Sequence, residues 1–69
     1  MKELNCVILD ISNGISSPNI TYGVFDGEQQ VSQGVSSSID WVKNDAGGFH
    51  TKKKFDKLYP DGWIVNFNF

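Results

Sequence analysis

The sequence predicts a single small α+β domain, in which an antiparallel or mixed β-sheet carries one or two short helices on one face. Three observations lead to this prediction. Apolar runs typical of strands occur near both ends of the chain, an Asp-Gly pair separates two further runs as in a hairpin, and the segment before the last run has helical spacing. We therefore expect one domain over residues 1–69 with the order β-β-β-α-α-β.

The first predicted strand is the nearly continuous apolar run over residues 4–11. It contains Val7, Ile8 and Leu9 and is followed by the turn-forming residues Ser12-Asn13-Gly14. A short apolar run with such a boundary is typical of a strand that is covered on both faces. We expect this strand to lie centrally in the sheet.

The second and third strands are predicted as a hairpin, because Asp26-Gly27 separates the runs 20–25 and 28–35. With Asp26-Gly27 as the two-residue loop, Phe25 lies opposite Glu28 and Tyr22 lies opposite Val31. In this register one face is apolar and the other is mostly polar, which favours it over a slipped one. The apolar face then has Ile20, Tyr22, Val24 and Val31, and the other has Thr21, Gly23, Gln30 and Ser32.

A short helix is predicted after the hairpin, over residues 39–44. Ser37 followed three residues later by Asp40 resembles a capping box, and Ala46-Gly47-Gly48 is expected to end the helix. Packing of Ile39 and Val42 must stabilise it, since a helix of about two turns is marginal by itself.

Residues 49–59 fit two structures. Phe55, Leu58 and Tyr59 have the i, i+3, i+4 spacing of one helix face, with the lysines outside it. The turn signal at residues 59–62 would also suit a strand that enters a hairpin. We favour the helix, because Phe55 and Leu58 cannot share a strand face.

The last predicted strand covers residues 63–69, in which Trp63, Val65, Phe67 and Phe69 alternate with Ile64 and two asparagines. We expect Trp63 to anchor this strand on the preceding helix. The strand is a candidate sheet edge, at which a neighbouring copy could extend the sheet, so a homodimer is one expectation.

Composition restricts the function classes. The net charge is −2 and the pI is about 5.0, which disfavours nucleic-acid binding, since phosphate contacts need a positive excess. The single cysteine excludes an intramolecular disulfide and a cysteine-based zinc site. The N-terminal residues resemble neither a signal peptide nor a membrane span, so we expect a cytoplasmic protein with no membrane contact. We also expect no cofactor.

Two patterns suggest alternative functions. Lys52, Lys53, Lys54 and Lys57 form a local basic cluster, the lysine patch, which is the one candidate for contacting nucleic-acid phosphates. A second pattern is His50 as a base for Cys6 or a serine, but no nucleophile-elbow sequence is present and Cys6 lies in an apolar run. We expect His50 to be an exposed structural residue and a candidate binding residue, and we predict no catalytic or metal-binding residue.

Asp10 follows the first apolar run. Together with residues 20–24, the stretch 7–11 resembles the start of the ribonuclease-H-like family, whose first strand carries a metal-binding aspartate and leads into a second antiparallel strand. The resemblance implies a small metal-dependent hydrolase or nuclease that uses Asp10. It covers about a quarter of the chain, and the further carboxylates that two-metal chemistry needs on later strands are not evident.

The function that we favour from the sequence is a non-enzymatic protein-binding module whose partner has a basic surface. Ile15 and Phe49 are apolar residues in polar or glycine-rich loops; they either contact a partner or fold back on the core. Trp41 is expected to be partly exposed. All six basic residues are lysines, a bias typical of AT-rich genes in low-GC bacteria and their phages. A phage or mobile-element accessory protein that inhibits a host protein is a specific version of this hypothesis.

Overall fold

The computed structural model describes all 69 residues, and four strands form one mixed sheet in it. The elements are β1 (Lys2–Asn13), β2 (Pro18–Asp26), β3 (Gln29–Ser36), α1 (Ile39–Asn44), a π-helical turn (Asp45–Phe49), α2 (Lys52–Leu58) and β4 (Trp63–Phe67). The strand order is β3-β2-β1-β4, in which β1 is antiparallel to β2 and parallel to β4. The predicted α+β class and the element order are confirmed.

One hydrophobic core lies between the sheet and the helical layer. Alternate residues of β1 and β2 point into it, and the helical layer covers them. Phe55 of α2 is the largest fully buried side chain, and its ring meets that of Trp63 edge to face at 5.0 Å. The buried apolar residues are Leu4, Cys6, Ile20, Tyr22, Val24, Val42, Ala46 and Phe55.

The predicted hairpin exists, but its predicted register is wrong. The loop is Gly27-Glu28, so Asp26 pairs with Gln29, and Tyr22 lies opposite Gly34 rather than Val31. A type I′ turn over Asp26-Gly27 would need positive φ at both residues, whereas Gly27 (φ 62°) is the only residue of this turn with positive φ. An irregularity between Val24 and Phe25 then shifts the register again, and it places Ser32 on the core face opposite Val24.

Helix α1 covers the predicted residues 39–44, but its capping serine lies one residue later than the capping-box pattern implied. Ser38, not Ser37, is the N-cap, and its Oγ accepts a hydrogen bond of 3.2 Å from the backbone N–H of Trp41. The glycine pair does not stop the helical path at once. The chain continues through the π-helical turn, within which Gly48 adopts φ 149°.

Residues 52–58 form the helix that we favoured over a strand. The predicted anchoring of Trp63 on this helix is confirmed, because its ring packs on Phe55 and its indole N–H donates a 2.9 Å hydrogen bond to Asp56. Strand β4 ends at Phe67, two residues before the predicted end, and it is an edge strand as expected.

Strand β1 is central in the sheet, as predicted, but it is not covered on both faces. The helices have only six and seven residues, and both pack on the same side. The β1–β2 hairpin also extends beyond its neighbours, because β4 pairs only with Lys2–Cys6 and β3 pairs with β2 no further than Ile20. The molecule is accordingly elongated, with principal extents of 41 × 22 × 15 Å.

Candidate protein-binding surface

The side of the sheet away from the helices has no covering layer, and we call it the open face. Its residues follow from the strand register, because directly paired residues point to the same side of a sheet. Since Cys6 and Val24 form one buried pair, the neighbouring pairs Val7–Gly23 and Asn5–Phe25 lie on the open face. The open face comprises Glu3, Asn5, Val7, Leu9, Asp10, Ser12, Asn19, Thr21, Gly23, Phe25, Gln30, Gln33, Val35, Ile64 and Asn66.

An apolar patch of Val7, Leu9 and Phe25 surrounds Gly23 at the middle of this face. A Cβ atom built on Gly23 would lie 3.0 Å from Cδ1 of Leu9 and 3.1 Å from Cε1 of Phe25, so the two side chains close over the glycine. Leu9 reaches this position because a β-bulge between Ile8 and Asp10 inserts it as an extra residue. The apolar patch is exposed to solvent, with 36% of Val7 and 44% of Leu9 accessible.

Charges are segregated between the two sides of the molecule. Glu3 and Asp10 are the charged residues of the open face, and they lie on either side of the apolar patch along β1. None of the six lysines is on this face. Lys2 pairs with Asp26 at 2.9 Å and lies over the ring of Tyr59, and the other five lysines belong to α1 and α2. The open face therefore combines apolar and acidic character without a basic residue.

The side chains that the sequence singled out do not form one site. Ile15 is fully exposed in the turn that joins β1 to β2, whereas Trp41 and Phe49 project from the helical layer with exposures of 56% and 70%. Partial exposure of Trp41 is thus confirmed, and Ile15 and Phe49 do not fold back on the core. The ring of Phe49 contacts that of His50 edge to face at 4.6 Å.

His50 belongs to a small polar cluster around Asp45. Oδ1 of Asp45 lies 3.6 Å from Nε2 of His50, and Oδ2 accepts a 2.6 Å hydrogen bond from Oγ of Ser36. A serine nucleophile needs the histidine, not the carboxylate, as its hydrogen-bond acceptor. This arrangement instead ties the end of β3 to the π-helical turn.

The lysine patch lies on α2, in the helical layer. Nζ of Lys52 is 2.6 Å from Oδ2 of Asp56, and hydrogen bonds from Lys52 and from Trp63 hold the pKa of the Asp56 carboxyl below its ordinary value. The other three lysines, Lys53, Lys54 and Lys57, are exposed and make no ion pair. Whether the patch contacts nucleic acid stays a prediction.

Asp10 pairs with Thr21 on the open face, and Cys6 is fully buried beneath the helices. Burial raises the pKa of the Cys6 thiol to about 11, so the thiol is protonated at neutral pH. No group of three or more His, Cys, Asp or Glu side chains is arranged to hold a metal ion. The hydrolase hypothesis for Asp10 stays a prediction.

One groove of about 350 Å³ lies between the N-terminus and the turn that joins α2 to β4. Its walls include Lys2 and Tyr59, which both bind Asp26: Tyr59 donates a 2.9 Å hydrogen bond and Lys2 forms the ion pair. These contacts hold the pKa of Asp26 below its ordinary value, with the hydrogen bond from Lys2 as the main cause. The network joins the start of β1, the end of β2 and the end of α2.

Comparison with protein-family models, with curated proteins and with solved structures gave no match to this chain. In addition, no helix is long and apolar enough to cross a membrane.

Sequence reasoning missed the apolar patch as a surface. It assigned Val7 and Leu9 to a strand buried on both faces, because β1 is apolar at odd and even positions alike. One signal could have corrected this. The predicted helices are short and were expected on one face of the sheet, so the other face of the central strand had to remain open.

Proposed function

We propose that this chain is a small non-enzymatic protein-binding module, and that its binding surface is the open face of the sheet. The observation that carries the proposal is the apolar patch of Val7, Leu9 and Phe25, exposed on a face that has two carboxylates and no lysine. Contiguous exposed apolar residues with a polar rim are typical of interaction sites.

The chemistry of the open face specifies the partner. A complementary surface has apolar side chains that cover the patch and basic side chains that face Glu3 and Asp10. A protein interface of ordinary size buries about 800 Å² on each side, roughly a sixth of the 4624 Å² that this chain exposes, so one face is sufficient. Because the charges are at the rim, added salt should weaken binding mainly by slowing association.

A more specific version of the proposal is an accessory protein of a phage or another mobile element that binds and inhibits a protein of its host. It is supported by the small size, the acidic balance and the exclusive use of lysine among the basic residues. The binding surface is the same in both versions.

The test is a quantitative affinity capture from a nuclease-treated lysate of the encoding organism or its host. Three tagged proteins are compared: the unmodified chain, Leu9→Asp on the open face, and Phe49→Asp in the helical layer as the matched control. Both altered residues are exposed, so both variants should keep the circular dichroism and thermal transition of the parent chain. A specific partner should be retained by Phe49→Asp and lost by Leu9→Asp.

Two results would overturn the proposed surface. Equal capture by all three proteins would show that the open face is not used, and loss only in Phe49→Asp would move the site to the helical layer. A partner captured only from a parallel lysate without nuclease would favour the lysine patch and nucleic-acid binding instead. With a purified partner, titrations at two salt concentrations then test the basic character of its surface, because a basic partner binds less tightly at the higher concentration.

A further inference from the structure

Strand β3 is an edge of the sheet and has only one neighbour, β2. In an antiparallel pair, half of the backbone N–H and C=O groups of each strand point away from the partner. Such a row of unpaired groups is a template for another strand, and proteins usually protect it with lysines, prolines, bulges or short strand length.

Little of this protection is present on β3. The strand has eight residues, Gln29-Gln30-Val31-Ser32-Gln33-Gly34-Val35-Ser36, none of which is charged or a proline. Its one irregularity lies near the start, beside Val31, and the stretch from Ser32 to Ser36 pairs regularly with β2. The other edge, β4, has five residues and therefore offers fewer backbone groups.

We infer that the β3 edge binds the β3 edge of a second copy of this chain, in antiparallel orientation about a two-fold axis. A two-fold contact requires a strand that is complementary to its own reverse. In the register centred on Gln33, Gln33 faces Gln33 of the second copy and Ser32 faces Gly34 of the second copy, so residues of the same sheet face meet. No charged pair arises, and the two glutamine side chains can hydrogen-bond across the junction.

The resulting dimer has one continuous sheet of eight strands. Because the two-fold axis is perpendicular to the sheet, the helices of both copies lie on one side and both open faces lie on the other. A chain with only eight buried hydrophobic residues in its core gains stability from such pairing. The two apolar patches would then bind a repeated or symmetric partner with two contacts at once.

Self-association does not depend on the proposed function, since it needs no other protein. It is measured on the purified chain by sedimentation velocity and light scattering over a range of concentrations. The parent chain should dimerise. Gln33→Lys, on the β3 edge, should raise the dimer dissociation constant by roughly tenfold or more, because like charges face each other across the junction. Asn66→Lys, at an open-face position of β4, is the matched control and should leave the constant unchanged.

Disulfide trapping locates the junction. Gln33→Cys should form a covalent dimer on mild oxidation, because this residue faces its own counterpart across the junction. Asn66→Cys should not form one, and the native Cys6 is buried and does not compete. A chain that is monomeric at every concentration would overturn the inference. A dimer that tolerates Gln33→Lys and is trapped by Asn66→Cys would do the same, because it would pair through β4. Capture of a partner in the lysate experiment, with or without dimerisation, decides the proposed function separately.

Discussion

Replacement of Phe55 by leucine should lower the free energy of unfolding by about 1–2 kcal/mol. The Phe55 ring is fully buried, and it contacts the ring of Trp63 edge to face at 5.0 Å and that of Tyr59 at 6.3 Å. An aromatic pair of this geometry contributes about 0.5–1.5 kcal/mol beyond area burial. The smaller leucine side chain also leaves a residual cavity, since a packed core relaxes only in part.

This magnitude is measurable in a chain of 69 residues, whose total stability should be about 3–10 kcal/mol. Phe55→Ala, by contrast, should cost about 3–5 kcal/mol and could unfold the protein altogether. Leucine is therefore the better probe.

Urea denaturation followed by tryptophan emission is the suitable assay. In a Trp41→Phe background the only remaining indole is Trp63, which packs directly on Phe55, and Trp41 itself is 56% exposed. Phe49→Leu is the matched control, because the same substitution at a 70% exposed ring should change stability by no more than about 0.5 kcal/mol. An unchanged midpoint in Phe55→Leu, or an equal loss in both variants, would refute the packing described for this core.

Two further predictions concern the helix cap and the cysteine. Ser38→Ala should lower the free energy of unfolding by about 1 kcal/mol, because it removes the acceptor of the Trp41 N–H. Ser37→Ala should have little effect. Equal losses of stability in the two variants, measured by urea denaturation, would contradict the assignment of Ser38 as the cap. Cys6 has a native pKa of about 11 against 9.0 for an ordinary thiol, so its contribution to stability is complete below pH 9.0 and is lost as the pH rises through about 11. Iodoacetamide at pH 8 should therefore alkylate the native protein far more slowly than the denatured protein, and similar rates would show that Cys6 is not buried.

Local patterns in the sequence were sufficient for the existence, type and order of the main elements. The period-two alternation after Gly62 predicted β4, and the spacing of Phe55, Leu58 and Tyr59 selected a helix over a strand. These signals depend on which side of an element is apolar, and a single chain segment contains that information.

The same patterns placed boundaries and registers less well. The two-residue loop of the hairpin and the serine that caps α1 each lie one residue later than predicted. In both cases two adjacent residues suit the role, and the backbone geometry of the surrounding elements selects between them.

Which side chains form the open face was decided only by the tertiary structure. The sequence by itself determined that β1 has apolar residues at both odd and even positions. Either face of this strand can therefore be buried. Which face is covered depends on where two short helices pack, and the helical layer has enough residues for one side of the sheet only. Val7 and Leu9 are exposed for this reason. The bulge at Leu9 depends on the pairing of β1 with β2, which joins residues that are distant in the sequence.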